Sequence, residues 1–395
     1  MKEGWEYKRM DEVCSIARGG SPRPIKDYIT NDPNGLNWIK IGDTDMGGKY
    51  IYSTKEKIKP EGLKKSRWVE EDEFLLSNSM SFGRPYILKT NGCIHDGWLV
   101  LRDYQKYLNI DFFYYVLSSE NVQRQFRIKA QGSTVSNLNT DRVASVTIPI
   151  PPLSEQQSIV DYLDLAYAKI DAMKANAEKR LNEAQALFQA SLKKMLEPKE
   201  GWEDKALKDF ATDMYRGSGV KRDQVTEDGI SCVRYGEIYT KYNYHFNECD
   251  SHTLEEYVNS PKYFEYGDIL FAITGESVEE IGKSIAYTGK DKCIAGGDIV
   301  VMKHNYEPRY ISYALSTPSA IKQKGRGKTK LKVVHTNIPS LKEIIIPIAP
   351  VNEQIIIADT LDSLKSKVDR LQENYDKISQ ECDALKQAIL RQVFE

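Results

Sequence analysis

Between residues 321 and 332 the sequence reads IKQKGRGKTKLK, so Lys322, Lys324, Arg326, Lys328, Lys330 and Lys332 fall on every second residue. An extended segment of that kind turns six cations to one side, about 6.6 Å apart. Such a comb suits a polyanion. A second basic stretch, RQFRIKAQGSTVSNLN (124–139), carries Arg124, Arg127 and Lys129, followed by Gln131, Ser133, Thr134 and Asn137. Cations grip phosphate, whereas amides and hydroxyls can read base edges. A charge run standing alone is more often a solvated loop; two at equivalent places in a repeat carry more weight.

Further candidates for the same chemistry sit beside turn residues. Arg18, Arg23 and Lys26 lie in ARGGSPRPIK, and Arg216, Lys221 and Arg222 in YRGSGVKR. Arg84 follows a glycine in NSMSFGRPY, and His95 stands near Trp98 in IHDGW, where Trp98 reads equally as core. Lys40 in WIKIGD and Arg234 in CVRYGE have strand settings that also admit a structural role. Lys283 closes GESVEEIGKS (275–284), which superficially resembles a phosphate loop. That motif needs four residues between its glycines, not six, and here three carboxylates would repel phosphate.

Catalytic signatures are missing from the sequence. There is no HExxH, GxSxG or GxGxxG. IPIPPL lacks the Asn or Asp with which a methyltransferase tetrapeptide grips its target amine, and the E-x-K triplets EYK and EPK are short enough to arise by chance. The five histidines do not cluster, and the six cysteines form no CxxC pair, so neither a zinc site nor a disulfide framework is expected. Reduced thiols, no signal-peptide pattern at MKEGWEYKRM and no long apolar run predict a cytoplasmic protein with no membrane span. The formal net charge of −2 gives no global sign of nucleic acid, so that reading rests on local charge.

The elements that position these residues are written twice. KEGWE stands at 2–6 and again at 199–203. WIKIGD meets CVRYGE, GCIHDGWLVLR (92–102) meets KCIAGGDIVVMK (292–303), and YYVLS (114–118) meets SYALS (312–316). IPIPPLSEQQSIVDYLD (148–164) meets IPIAPVNEQIIIADTLD (346–362). Landmarks in one order over both halves mark a duplication of a domain-sized unit, far longer than solenoid repeats. Each copy opens with about 150 residues of short apolar stretches and turn residues, an α+β domain. It closes with some forty residues free of Pro and Gly. Ser154 with Gln157 makes a capping-box start, with Asn352 as the equivalent N-cap.

Along these closing segments apolar residues step by four and three. The first runs Ile159, Leu163, Ala166, Ile170, Met173, Ala177 and on to Phe188; the second includes Leu361, Leu364, Val368 and Leu371. This narrow stripe is a coiled-coil seam. Two matched seams in one chain predict an antiparallel intramolecular pair related by a pseudo-twofold axis, in preference to an intermolecular zipper. Residues Ile159, Leu163, Ile170, Met173, Leu361, Leu364, Val368 and Leu371 are its expected packing positions.

With the duplication, the GWE openings, the RGGSP loop and the paired SEQ and NEQ helix starts in hand, the chain resembles the specificity subunits of type I restriction–modification enzymes over its full length. The resemblance implies a target recognition domain at 1–152, a first spacer helix at 153–198, a second recognition domain at 199–350 and a second spacer helix at 351–395. It further implies that each domain reads half of a bipartite, asymmetric site in double-stranded DNA, while the helices set the unread gap and dock two modification (methyltransferase) subunits. Restriction subunits with translocase and nuclease activity join the same core. S-adenosylmethionine, ATP and Mg would serve those partners, and no cofactor or metal this chain. The rival readings are a coiled-coil scaffold that binds only proteins, and a specificity module with its own nuclease or methyltransferase activity.

Overall fold

The computed structural model describes residues 4–45, 47–78, 83–130, 138–278, 280–327 and 334–395. It comprises two compact units, residues 1–177 with 375–395, and residues 178–374. Each unit therefore includes the first part of its own long helix and the last part of the other.

In the first unit, one five-stranded sheet runs in the order Ser15–Arg18, Trp98–Arg102, Phe74–Ser77, Pro85–Leu88, Tyr50–Ile51. The runs FLLS and WLVLR are apolar without alternation because this sheet is covered on both faces. Phe74, Leu76, Leu99 and Leu101 pack with the helix Ile110–Ser118, whereas Leu75, Trp98, Val100 and Tyr86 pack with Ile39 and Ile94 of a second five-stranded sheet. That second sheet runs Ile29–Thr30, Glu56–Ile58, Leu36–Ile39, Gly92–Ile94, Arg67–Val69. A two-stranded ribbon, Glu6–Arg9 antiparallel to Thr147–Ile150, closes the domain in the register Glu6↔Ile150.

The second unit repeats this plan strand for strand. Asp213–Arg216, Ile299–Lys303, Ile269–Ala272, Ser284–Tyr287 and His245–Phe246 form one sheet in that order. Val225–Thr226, Ser251–Thr253, Ile230–Val233, Cys293–Ala295 and Tyr263–Phe264 form the other. The closing ribbon pairs Glu203 with Ile348, the same register as in the first copy.

The two long helices are Leu153–Met195 and Val351–Phe394. At 1.5 Å per residue each is about 65 Å long. Both begin before the expected caps: the Pro152 carbonyl accepts from Glu155 and Gln156, and the Pro350 carbonyl from Glu353 and Gln354. Ser154 and Asn352 thus lie inside the first turn, and Gln157 bonds outward to Asn109 and Asp161 instead of closing a capping box.

The helices run antiparallel. In the first unit the Tyr167 hydroxyl donates to the Lys386 carbonyl at 3.1 Å, and the Lys386 ammonium meets Asp171 at 2.5 Å. In the second unit Phe188, Leu192 and Leu196 share a core with Leu361, Leu364 and Val368. Leu163, Ile170, Leu361 and Val368 are buried as the seam requires, and Ile159, Leu364 and Leu371 are half-buried. Met173 is not a seam residue. It is 60% exposed, and Lys174 takes the place, its stem half-buried and its ammonium 3.6 Å from Asp383. A long aliphatic stem ending in a charge satisfies a seam edge as a methionine would.

Candidate nucleic-acid interface

The short loops at one end of each pair of sheets bring together residues far apart in sequence. In the first unit the Arg18 Nε donates to the Asp96 carbonyl at 3.0 Å, while the Ser21 hydroxyl and Arg23 reach the Asp96 carboxylate at 2.7 and 3.2 Å. The Ser21 hydroxyl, ahead of the backbone and Arg23, holds the Asp96 carboxyl below its ordinary range against the pull of partial burial. Asn78 joins the cluster, its side-chain amide donating to the Asp96 carbonyl at 2.8 Å and its own carbonyl accepting from Leu138. A methyl group on Gly19 would overlap the His95 carbonyl, so the RGG turn needs glycine to lie this close. Residues 18–23, 94–98, Asn78 and Leu138 therefore meet in one place.

The second unit builds the equivalent cluster with a different carboxylate. Arg216 donates through Nε to the Gly297 carbonyl and through Nη2 to Asp298 at 2.7 Å. Gly217 lies against the Gly296 carbonyl as Gly19 does against that of His95. Asp96 precedes the shared glycine, Gly97, whereas Asp298 follows its equivalent, Gly297. Thr274 and Gly275 pair with His335 and Val334, and the Thr336 amide donates to the Ile273 carbonyl at 2.9 Å. The chain at Val334–Thr336 is thereby anchored to the same end.

These geometries sort the candidate residues. Arg18, Arg23, Lys26, Arg216, Lys221, Arg222 and Arg326 are exposed on the loops. Arg84 is half-buried beside Ser77. Arg127 is exposed but paired with Glu120, and Lys129 is half-buried at the end of the helix Glu120–Ala130. Lys40 is tied to Glu56 at 2.7 Å and Arg234 to Glu237 at 3.0 Å. Gln131, Ser133, Thr134, Asn137, Lys328, Lys330 and Lys332 lie outside the described residues.

Three candidates, His95 and Lys283 half-buried and Lys324 buried, bond within their own domain. His95 has the Gly97 amide directed at Nδ1 (2.7 Å) and the Ile41 amide at Nε2 (3.2 Å), and burial lowers its pKa, which favours a neutral ring packed by Trp38 and Trp98. Trp98 itself is fully buried. Lys283 spends its ammonium on the carbonyls of Tyr242 (2.9 Å) and Tyr239 (3.4 Å). Lys324 is only 6% exposed, donating to the Ser284 hydroxyl at 3.0 Å. The extended comb also fails at its start, because Lys322 and Lys324 belong to the helix Pro318–Lys324.

Sequence reasoning missed Asp96, Asn78 and Asp298, the polar hubs that hold the loops. Asp96 sits in the singled-out IHDGW, but nothing in that motif signals that its carboxylate serves Ser21 and Arg23, 75 and 73 residues away. No group of His, Cys, Asp and Glu suited to a metal ion occurs among the described residues. Nor is any helix among them long and apolar enough to cross a membrane.

Comparison with known proteins decides the family. The model of the type I restriction modification DNA specificity domain matches residues 2–183 and again 199–380. The chain belongs to that family. It is 22% identical to the type I restriction enzyme EcoKI specificity subunit of Escherichia coli K12, over all of this chain and 89% of that one. It is 20% identical to the MjaVIII specificity subunit of Methanocaldococcus jannaschii, over 93% of this chain and 87% of the relative. The fold matches that of the HsdS subunit from Thermoanaerobacter tengcongensis at a TM-score of 0.56 and 18% identity, over all of this chain and 97% of that one. A chain from structural work on complex assembly and conformational transition of the type I R-M system matches at a TM-score of 0.74 and 17% identity, covering 100% and 98% of the two chains.

Proposed function

We infer that this family member is the DNA-specificity subunit of a type I restriction–modification complex and performs no reaction itself. One observation carries the reading: each of two homologous units gathers arginines and lysines on a loop cluster at one end of its sheets. Each cluster would read one half of a bipartite site. The loops differ between copies, Arg23 and Arg84 standing in the first and Thr274, His335 and Arg326 in the second, so the half-sites differ and the site is asymmetric.

The antiparallel helices set the unread gap and offer the docking surface for two modification subunits. S-adenosylmethionine, and the ATP and Mg used in translocation and cleavage, belong to the modification and restriction subunits, and the complex works on DNA in the cytoplasm. The test is to purify the chain with its modification subunits and sequence the methylated adenines. A split motif with a fixed gap supports the reading. Methylation by this chain alone, or an absence of any sequence preference in the complex, overturns it.

A further inference from the structure

The most faithfully repeated contacts are at the joint between each globular domain and its own helix, away from the loops. The Trp5 indole donates to Glu155 at 2.8 Å, and the Trp202 indole to Glu353 at 3.2 Å. Fully buried Gln156 accepts from the Asn109 amide at 2.8 Å, and Gln354 from the Glu307 amide at 3.1 Å, so each ties the helix start to the N-terminus of a domain helix. The Tyr115 hydroxyl donates to Asp164, and the Tyr313 hydroxyl to Asp362 at 2.6 Å. The repeated EQ and LD signatures are thus the fastening of domain to rod.

Beyond these shared bonds the joints diverge. At the second, Arg309 reaches Asp359 at 2.9 Å and Asp362 at 2.7 Å through Nη1, and Glu307 at 2.7 Å through Nε. His245 adds a contact to Asp362 at 2.9 Å. The equivalent of Arg309 in the first copy is Asp111, a carboxylate that pairs with Lys49 of its own domain at 2.6 Å. Both joints bond neutral donors to helix carboxylates, and only the second adds a guanidinium, so that ion pairs with Asp359 and Asp362 also tie domain to helix there.

Building on the specificity-subunit reading, we propose that Arg309 and Asp362 are positioning residues that fix the second domain on its helix and so restrict the spacer of the DNA site. A ruler is only as exact as its joints. A domain pivoting on its helix moves its reading loops along the DNA by an amount that grows with distance from the pivot. One base pair is about 3.4 Å along the duplex. Stiffness at this joint is what would hold the gap to one value.

The experiment sequences methylated adenines made by the full complex carrying Arg309→Ala, Arg309→Lys or Tyr115→Phe. The expected result for Arg309→Ala is a split motif with the same bases in both halves, and with sites one base pair longer or shorter rising at least fivefold relative to the preferred gap. Arg309→Lys, which keeps the charge, restores most of the strictness, and Tyr115→Phe at the first joint broadens the gap less. An unchanged gap in folded, active Arg309→Ala complex overturns the proposal, as does a change in the bases read. If that variant does not assemble, Arg309→Gln and Asp362→Asn give the same readout, and strict gaps in both overturn it. A wild-type complex without any split motif would sink the underlying reading instead.

Discussion

Lys324 occupies in the second domain the place that Phe126 fills in the first. Phe126 is fully buried against Gly83, and Lys324, at the same step of the equivalent helix, packs its stem against Gly282, the glycine equivalent to Gly83. Burial pushes the Lys324 pKa down to about 7, and its ammonium has the Ser284 hydroxyl and the Phe271 ring as neighbours.

That pairing fixes the sign of a pH effect. Between about pH 7 and pH 10.5 the unfolded chain holds a proton at this lysine that the folded chain lacks, so the contribution of Lys324 to stability rises with pH across that window and is level below it. Lys324→Met removes the slope and raises stability at pH 7 by roughly 1–3 kcal/mol. Thermal unfolding of the full chain at several pH values checks this; a less stable variant with the wild-type slope would contradict it.

Asp362 gives the same sign in a different window, at acid pH. Burial pushes its carboxyl up, but the bonds from His245, Tyr313 and Arg309 prevail and hold it at about 2, below its ordinary 3.8. Its contribution, on the order of 2 kcal/mol, is present above pH 4 and lost as pH falls from there toward 2. Urea unfolding should show wild type and Asp362→Asn separated at pH 6 and converging near pH 2. A gap independent of pH would refute the linkage.

Exposed loop cations should act on affinity in a sequence-independent way. Arg222→Ala and Arg326→Ala are each expected to weaken binding to every duplex and to flatten the slope of log affinity against log salt by about 0.9 for each phosphate left without its cation. Binding titrations from 50 to 200 mM salt measure it; an unaltered slope removes the residue from the interface.

The helix pair should behave as a length standard. Removing seven residues from the facing stretches of both helices keeps the heptad seam in register and shortens the rod by about 10.5 Å, close to three base pairs. The expected outcome is a preferred gap shorter by about three, or loss of binding where the twist no longer matches. Retention of the original gap would show that the helices do not set it.

Much of this architecture was legible because duplication exposes itself: residues repeated in the same order in both copies, such as Trp5 and Trp202 or Asp164 and Asp362, are those that bond domain to helix. Helical periodicity also showed, failing only at Met173, since periods of 3.5 and 3.6 residues cannot say whether position 173 or 174 faces the partner. The reading loops were less legible. Charge alone does not distinguish exposed Arg326 from buried Lys324 two residues earlier, because burial there depends on how the helix Pro318–Lys324 packs on Phe271 and Gly282. Asp96 and Asp298, which aim the loop arginines, come from different sides of an equivalent glycine and leave no shared motif.

The central claim, two different readers on one chain, is tested most directly by selecting bound duplexes from a random pool with the complex of this chain and its modification subunits. Two separate blocks of enriched bases, different in sequence and divided by an unenriched gap of constant length, are the predicted result. A single contiguous block, or two blocks with freely varying separation, would contradict it.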